Sequence, residues 1–318
     1  MEFWNNPDNR VECVLEWIDP EEEEDNYYST EAWIRRERSA IFELLLENPK
    51  TDINAQDIFG MSPLHIAADR KDLTASVFQK LIDRDPMAED AIGVNTLHYA
   101  AQTRHLQILQ DLLATIPDTQ MEDFLNWKDK EGKNALHHLL RKHGVVEIPV
   151  ARCLLQRCNG INNLDSTGMS PVALYLSANV IISRQDDQNL LDLLFSYGAD
   201  PSFKTIEGLG LVHLVGTSRR CSVGVLQTLA KWGTDLRSLD TQGRTVLHHS
   251  SITGTLVEDV LHFLYHDIEL AVDLRDADGK KALDYTIEEK QQDHNQNPFN
   301  PGRWIRAENL LRAVEMEV

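Results

Sequence analysis

Apolar side chains occur along this chain in short bursts spaced three and four positions apart, separated by polar stretches that contain glycine. Val77, Leu81 and Ile82 form one burst, and Ile108, Leu109, Leu112 and Leu113 another. Leu190, Leu191, Leu193 and Leu194 form a third, and Val225, Leu226 and Leu229 a fourth. That spacing puts the apolar residues on one face of a helix, so each burst predicts an amphipathic helix with one buried side. Ser196-Tyr197-Gly198-Ala199-Asp200-Pro201 stops the third, with Gly198 suited to the left-handed position that ends a helix. The chain is therefore expected to be helical throughout, without an extended sheet.

The polar stretches repeat in register. DIFGMSPLHIAA begins at Asp57, DAIGVNTLHYAA at Asp90, DKEGKNALHHLL at Asp129 and DSTGMSPVALYL at Asp165. TIEGLGLVHLVG begins at Thr205, DTQGRTVLHHSS at Asp240 and DADGKKALDYTI at Asp276. The shared glycines, Gly60, Gly93, Gly132, Gly168, Gly208, Gly243 and Gly279, are 33, 39, 36, 40, 35 and 36 residues apart. Asp-x-x-Gly is turn chemistry, in which glycine is free to take a positive φ. Ser62 and Ser170 stand directly before proline, which places an N-cap ahead of proline at the first helical position.

These residues resemble the ankyrin repeat, with its period of about 33 residues and its T-P-L-H-x-A signature. Ser62-Pro63-Leu64-His65 is a close copy, while Gly210-Leu211-Val212-His213 and Lys281-Ala282-Leu283-Asp284 are degraded ones. The resemblance runs from about residue 35 to 318. It implies an all-α solenoid whose units each carry a β-turn finger, two antiparallel helices and a return loop. Arrays with units this long and irregular are similar to those of filamentous fungi, where they often follow a nucleotide-binding or nucleoside-phosphorylase-like domain.

Terminal units of such an array must show one polar face to water. Residues 1–50 are read as a degenerate capping unit. A helix is expected from Glu31 to Glu47, with Ile34, Ile41, Phe42, Leu44, Leu45 and Leu46 apolar, followed by a return loop at Thr51–Asn54. A first helix over Asn9–Ile18 is expected before it, with the run Glu21–Asp25 as a solvated acidic insertion. Residues 51–318 hold seven repeats and a closing helix from Trp304 to Val314, after a proline-rich insert at Asn295–Gly302. Pro117–Trp127 reads as an ordered insertion in which Met121, Phe124, Leu125 and Trp127 pack.

Charge narrows the partners. The chain carries a formal −20, half of it in residues 1–56, where 15 acidic side chains face 5 basic ones. Nucleic acid and anionic membranes both require a basic footprint, so neither is expected as a partner. No stretch approaches 18 consecutive apolar residues, and MEFWNNPDNR lacks the basic and apolar sections of a secretory signal. Cys13, Cys153, Cys158 and Cys221 are read as reduced thiols, consistent with a cytoplasmic or nuclear protein.

Catalytic chemistry has no foothold. The phosphate-loop, dinucleotide and nucleophile-elbow patterns are missing, so no enzyme activity, cofactor or small-molecule substrate is expected. His65, His98, His137, His213 and His248 each stand five residues after a repeat glycine. The resemblance implies that they tie adjacent loops together by hydrogen bonds. His262 and His266 are four apart on one helix, a chelating spacing, but no third ligand is suggested and no metal is assigned.

The expected function is a scaffold or adaptor that holds a protein or peptide on its concave face. The alternative is a regulatory domain acting in cis on an enzymatic module elsewhere. In the family the contact positions are the two residues before the repeat glycine, the one after it, and the ninth and tenth beyond it. Those offsets select Ile58, Phe59 and Met61 in the first full repeat and Ile92 and Val94 in the second, all apolar at tips expected to be wet. In the third they select Lys130, Lys133, Arg141 and Lys142, a basic spot. The last repeat offers Asp278, Lys280, Glu288 and Glu289, with no apolar anchor.

Overall fold

The computed structural model describes residues 40–316 except 70–76, 78–79, 82–87, 103–105, 142–145, 179–183 and 297–301. The predicted helix over Asn9–Ile18 and the acidic run at Glu21–Asp25 lie outside the described residues.

Further helices follow the short one at residues 40–47. In the first half they are α1 (Pro63–Asp69), α2 (Thr96–Gln102), α3 (Leu106–Thr115), α4 (Asp118–Leu125), α5 (Ala135–Arg141) and α6 (Ile148–Leu155). The second half has α7 (Pro171–Ser177), α8 (Arg184–Ser196), α9 (Leu211–Gly216), α10 (Val223–Lys231) and α11 (Val246–Thr253). It ends with α12 (Glu258–His262), α13 (Ala282–Gln296) and α14 (Gly302–Glu315). Two isolated bridges, Glu89 with Asn95 and Lys204 with Gly210, are the β-type pairings among the described residues. No described helix is long and apolar enough to cross a membrane.

The chain forms two compact units. One runs to Leu139 and includes Glu147–Gly160; the other comprises Leu140–Val146 and Ile161 onward. Within each, like packs on like. In the first unit α1 rests on α2, and α3 on α6. In the second, α7, α9, α11 and α13 stack in sequence, and α8 rests on α10. Within each, this is the stacking of a repeat solenoid, in which every repeat buries its apolar face against its neighbours.

The periodic apolar residues supply that core. Leu109, Leu112, Leu191, Leu194, Val225, Leu226 and Leu229 are fully buried, and the signature leucines Leu97, Leu136 and Leu247 are each about 1% exposed. Leu44 of the N-terminal helix is an exception: Phe42 takes the buried position and Leu44 faces water. Ser170 caps α7 as expected, its Oγ accepting from the Ala173 N–H at 3.2 Å, with Pro171 at the first helical position. Gly198 sits at φ 88 and ends α8. The insertion at Pro117–Trp127 is helix α4, with Phe124 and Leu125 buried. Its Trp127 indole N–H donates to the Gly93 carbonyl at 3.2 Å, which ties the insertion to the second finger. The closing helix α14 buries Trp304, Ala307 and Leu311 against α13.

Candidate functional site

Each finger is built around one side chain. Asp57 Oδ1 accepts the N–H groups of Phe59 and Met61 at 2.8 and 2.9 Å, and its own N–H donates to the Met61 carbonyl. The Gly60 N–H closes the turn on the Asp57 carbonyl at 3.0 Å. Asp90, Asp129, Asp165, Asp240 and Asp276 repeat the pattern, and Thr205 reproduces part of it through Oγ1. All seven repeat glycines have φ between 73 and 79. At Gly60 the requirement is double, since a Cβ there would stand 2.5 Å from the Ala91 nitrogen.

Adjacent fingers are then bonded to each other. The Ala91 N–H donates to the Phe59 carbonyl at 2.8 Å and the Lys130 N–H to the Ile92 carbonyl at 3.0 Å. In the second unit the Thr241 N–H reaches the Glu207 carbonyl at 3.2 Å and the Ala277 N–H the Gln242 carbonyl at 2.8 Å. The tip backbone is therefore fixed by main-chain bonds that do not use the side chains of Ile58, Phe59 and Ile92.

The signature histidines lock the base of five of the seven fingers. Nδ1 of His65, His98, His137, His213 and His248 accepts the backbone N–H three residues earlier, at 3.0–3.2 Å. The proton then resides on Nε2, which faces a carbonyl further along the chain: Ala88 for His65, Lys133 for His98, Ser238 and Arg244 for His213, Lys280 for His248. In the last repeat Asp284 performs half of this task, its Oδ2 accepting the Lys281 N–H at 2.9 Å.

A second ring position was not anticipated from the sequence. Six residues after the glycine stand Tyr99, His138, His249 and Tyr285, and each reaches Oδ2 of its own finger aspartate: Asp90, Asp129, Asp240 and Asp276. Each also packs edge-on against the preceding signature histidine, as in His98–His138 at 4.7 Å and His213–His249 at 5.3 Å between centroids. The signal was present as His or Tyr recurring at one register position, with Ile66, Leu174 and Leu214 there in the other repeats.

Burial sets the protonation of this ladder. Burial first, and then the His138 ring, hold His98 down at about 3. Burial and the His213 ring lower His249 to about 4, although Asp240 pulls the other way. Burial likewise lowers His213 and His248. Burial alone would raise Asp240, but N–H donors from Arg244, Gln242 and His249 bring it to about 2. These imidazoles are neutral structural groups with no free proton to move. The thiols are equally inert, burial pushing Cys158 and Cys221 up to about 12.

The expected contact residues divide. Ile58, Phe59 and Ile92 are 73%, 63% and 59% exposed on two adjacent, mutually bonded fingers. Met61 is half-buried, and Val94 is buried at 3%. Val94 is therefore a core residue, because its backbone closes the Asp90 turn and tucks its side chain beneath the finger. Lys130 is exposed but its Nζ donates to the Ala91 carbonyl at 2.7 Å. Lys133 is buried with its ammonium on the Glu131 carboxylate, so the expected basic spot loses one of its charges. Arg141 is exposed at the end of α5, in the other unit from the fingers; Lys142 lies outside the described residues.

A family profile described as ankyrin repeats (three copies) matches residues 32–123. The nuclear factor NF-kappa-B p105 subunit of Gallus gallus is 27% identical over 164 residues, which is 50% of this chain and 16% of that protein. The chain thus corresponds to a small part of this relative's length. The crystal structure of the ankyrin repeat domain of Bcl-3, a member of the IkappaB protein family, superposes with a TM-score of 0.51 at 19% identity. It covers 77% of this chain and 99% of that one, and shows the fold. The finger and histidine geometry continues through Gly279, well past the matched profile. Residues 32–123 of this chain match the ankyrin-repeat family, and the chain has the ankyrin-repeat fold.

Proposed function

We propose that the chain is a protein-interaction module whose contact surface is the pair of fingers around Gly60 and Gly93. The observation that carries this reading is the exposure of Ile58, Phe59 and Ile92 on a backbone held rigid by the Ala91–Phe59 bond. They are three of nine large apolar side chains exposed among the described residues, gathered on two adjacent tips. A cluster of this kind, rimmed by polar groups, marks an interaction site, and aromatic or aliphatic anchors of this kind dominate binding energy. Because the tips are preorganised, a partner loses little of its binding energy to ordering the receptor.

The partner that fits is a protein or peptide presenting an apolar patch, with an acidic group near Lys130. Ankyrin repeats are in general protein-interaction modules, which agrees with this reading. Affinity capture from native lysate, with cross-linking to name the contacted residues, tests it. Cross-links should fall on Phe59, Ile92 or Lys130; cross-links confined to other faces would overturn the assignment.

A further inference from the structure

Helix α12 passes without a break into a π-helical turn over Phe263–Asp267. Single π turns are rare and are frequent at functional positions. The inner side of this segment is anchored by Val260, Leu261, Phe263 and Leu264, all buried. That leaves His262 and His266 together on the solvent side, their ring centroids 4.3 Å apart and their planes tilted by 45°. Tyr265 packs edge-on against His266 at 4.7 Å, which restrains that ring. The turn is closed behind them by the Ile268 N–H on the Phe263 carbonyl and the Leu270 N–H on the Leu264 carbonyl. The signature histidines spend their ring nitrogens on backbone groups, whereas no described hydrogen bond engages those of His262 and His266.

We propose that His262 and His266 chelate a divalent transition-metal ion. Imidazole is the nitrogen donor such ions prefer, and two neutral rings a turn apart bind more tightly than either alone. Centroids 4.3 Å apart are close enough for one nitrogen of each ring to reach a shared ion at about 2.0–2.1 Å. Ions of this class that take imidazole include Ni²⁺, Cu²⁺ and Zn²⁺, with Cu²⁺ highest in the intrinsic affinity order. Exposed Glu258, Asp259, Asp267 and Glu269 on this segment concentrate cations around the pair. A cleft of about 420 Å³ lined by Tyr265, His266, Glu269, Leu270 and Ala271 opens beside His266, leaving room for water in the other coordination positions. No group of three or more His, Cys, Asp or Glu among the described residues is arranged to hold a metal, so this is a two-ligand, exchangeable site.

Titration of the full chain with nickel chloride, followed by calorimetry in a non-chelating buffer, tests the proposal. Comparison with His262→Gln, His266→Gln and the double variant separates this pair from the other histidines. The parent should bind one equivalent that each single variant weakens by roughly tenfold or more. Without metal, all four proteins should melt together, because both side chains are exposed. A parent that binds no nickel, or a single variant that titrates like the parent, would overturn it.

Discussion

The finger pair at Gly60 and Gly93 and the pair at Gly243 and Gly279 share one backbone and differ in what they show to water. In each, an aspartate closes the turn, glycine stands at φ between 73 and 79, and a single N–H to carbonyl bond of 2.8 Å joins the two tips. The first pair then presents Ile58, Phe59 and Ile92, while the second presents Thr241, Gln242, Ala277 and Asp278. The apolar tips thus owe little to the fold: the bonds that make these two fingers come from main-chain atoms and the finger aspartates, so the identity of Ile58, Phe59 and Ile92 is open to serve a partner.

That separation can be tested from both sides. The largest effects belong to the shared framework. Leu97→Ala and Leu247→Ala remove equivalent buried side chains from the two regions, and each should cost about 2–5 kcal/mol in denaturant unfolding. A large loss at one and none at the other would show that the regions are not built alike. Gly60→Ala and Gly279→Ala impose the same left-handed strain, about 1–2 kcal/mol. Only at Gly60 does the added Cβ meet the next finger, while nothing lies within 4 Å at Gly279. Gly60→Ala should therefore melt lower than Gly279→Ala, and equal melting would contradict the described finger contact.

Acid probes the ladders of both units. His98 and His249 are lowered from 6.5 to about 3 and about 4, so the unfolded chain binds protons first as pH falls. Stability is complete above about 6.5 and drains away below it. At pH 5 each of these groups should remove about 2 kcal/mol, by linkage. Asp240 contributes only lower, its stabilisation being lost below its ordinary 3.8 and toward 2. Unfolding free energies measured from pH 7.5 to 4.5 check this; a flat profile would mean that the histidines are not buried as described.

Much of this was legible in the chain. Glycine register and the leucine and histidine positions are imposed by local sterics and hydrogen bonding, so they recur as letters. The ring at position six is not legible as a repeated letter, because His and Tyr perform the same task there and three repeats do without it. The contact offsets erred at the residue after the glycine. In all seven repeats that residue is half-buried or buried, because its N–H or carbonyl closes the turn and draws it under the finger. Val94 and Lys133 were therefore misread as tip residues, while Ile58, Phe59 and Ile92, ahead of the glycine, are at the surface. An offset count carries no information about which side of a closed turn a side chain leaves.

The smallest effect expected is electrostatic. With Lys133 buried on Glu131, Lys130→Glu alone should weaken partner capture at low salt and have little effect near physiological ionic strength. Salt-independent loss would point to a packing role for Lys130.

The most direct test sets the two finger pairs against each other. Partner capture and melting temperature would be measured for the parent, for Phe59→Ala with Ile92→Ala, and for Gln242→Ala with Asp278→Ala. All three proteins should melt within a few degrees of one another, since exposed substitutions stay near 0.5 kcal/mol or less. The first double variant should lose capture while the second retains it. Equal capture by both, or a first variant that loses capture only because it has unfolded, would contradict the separation of tip from framework.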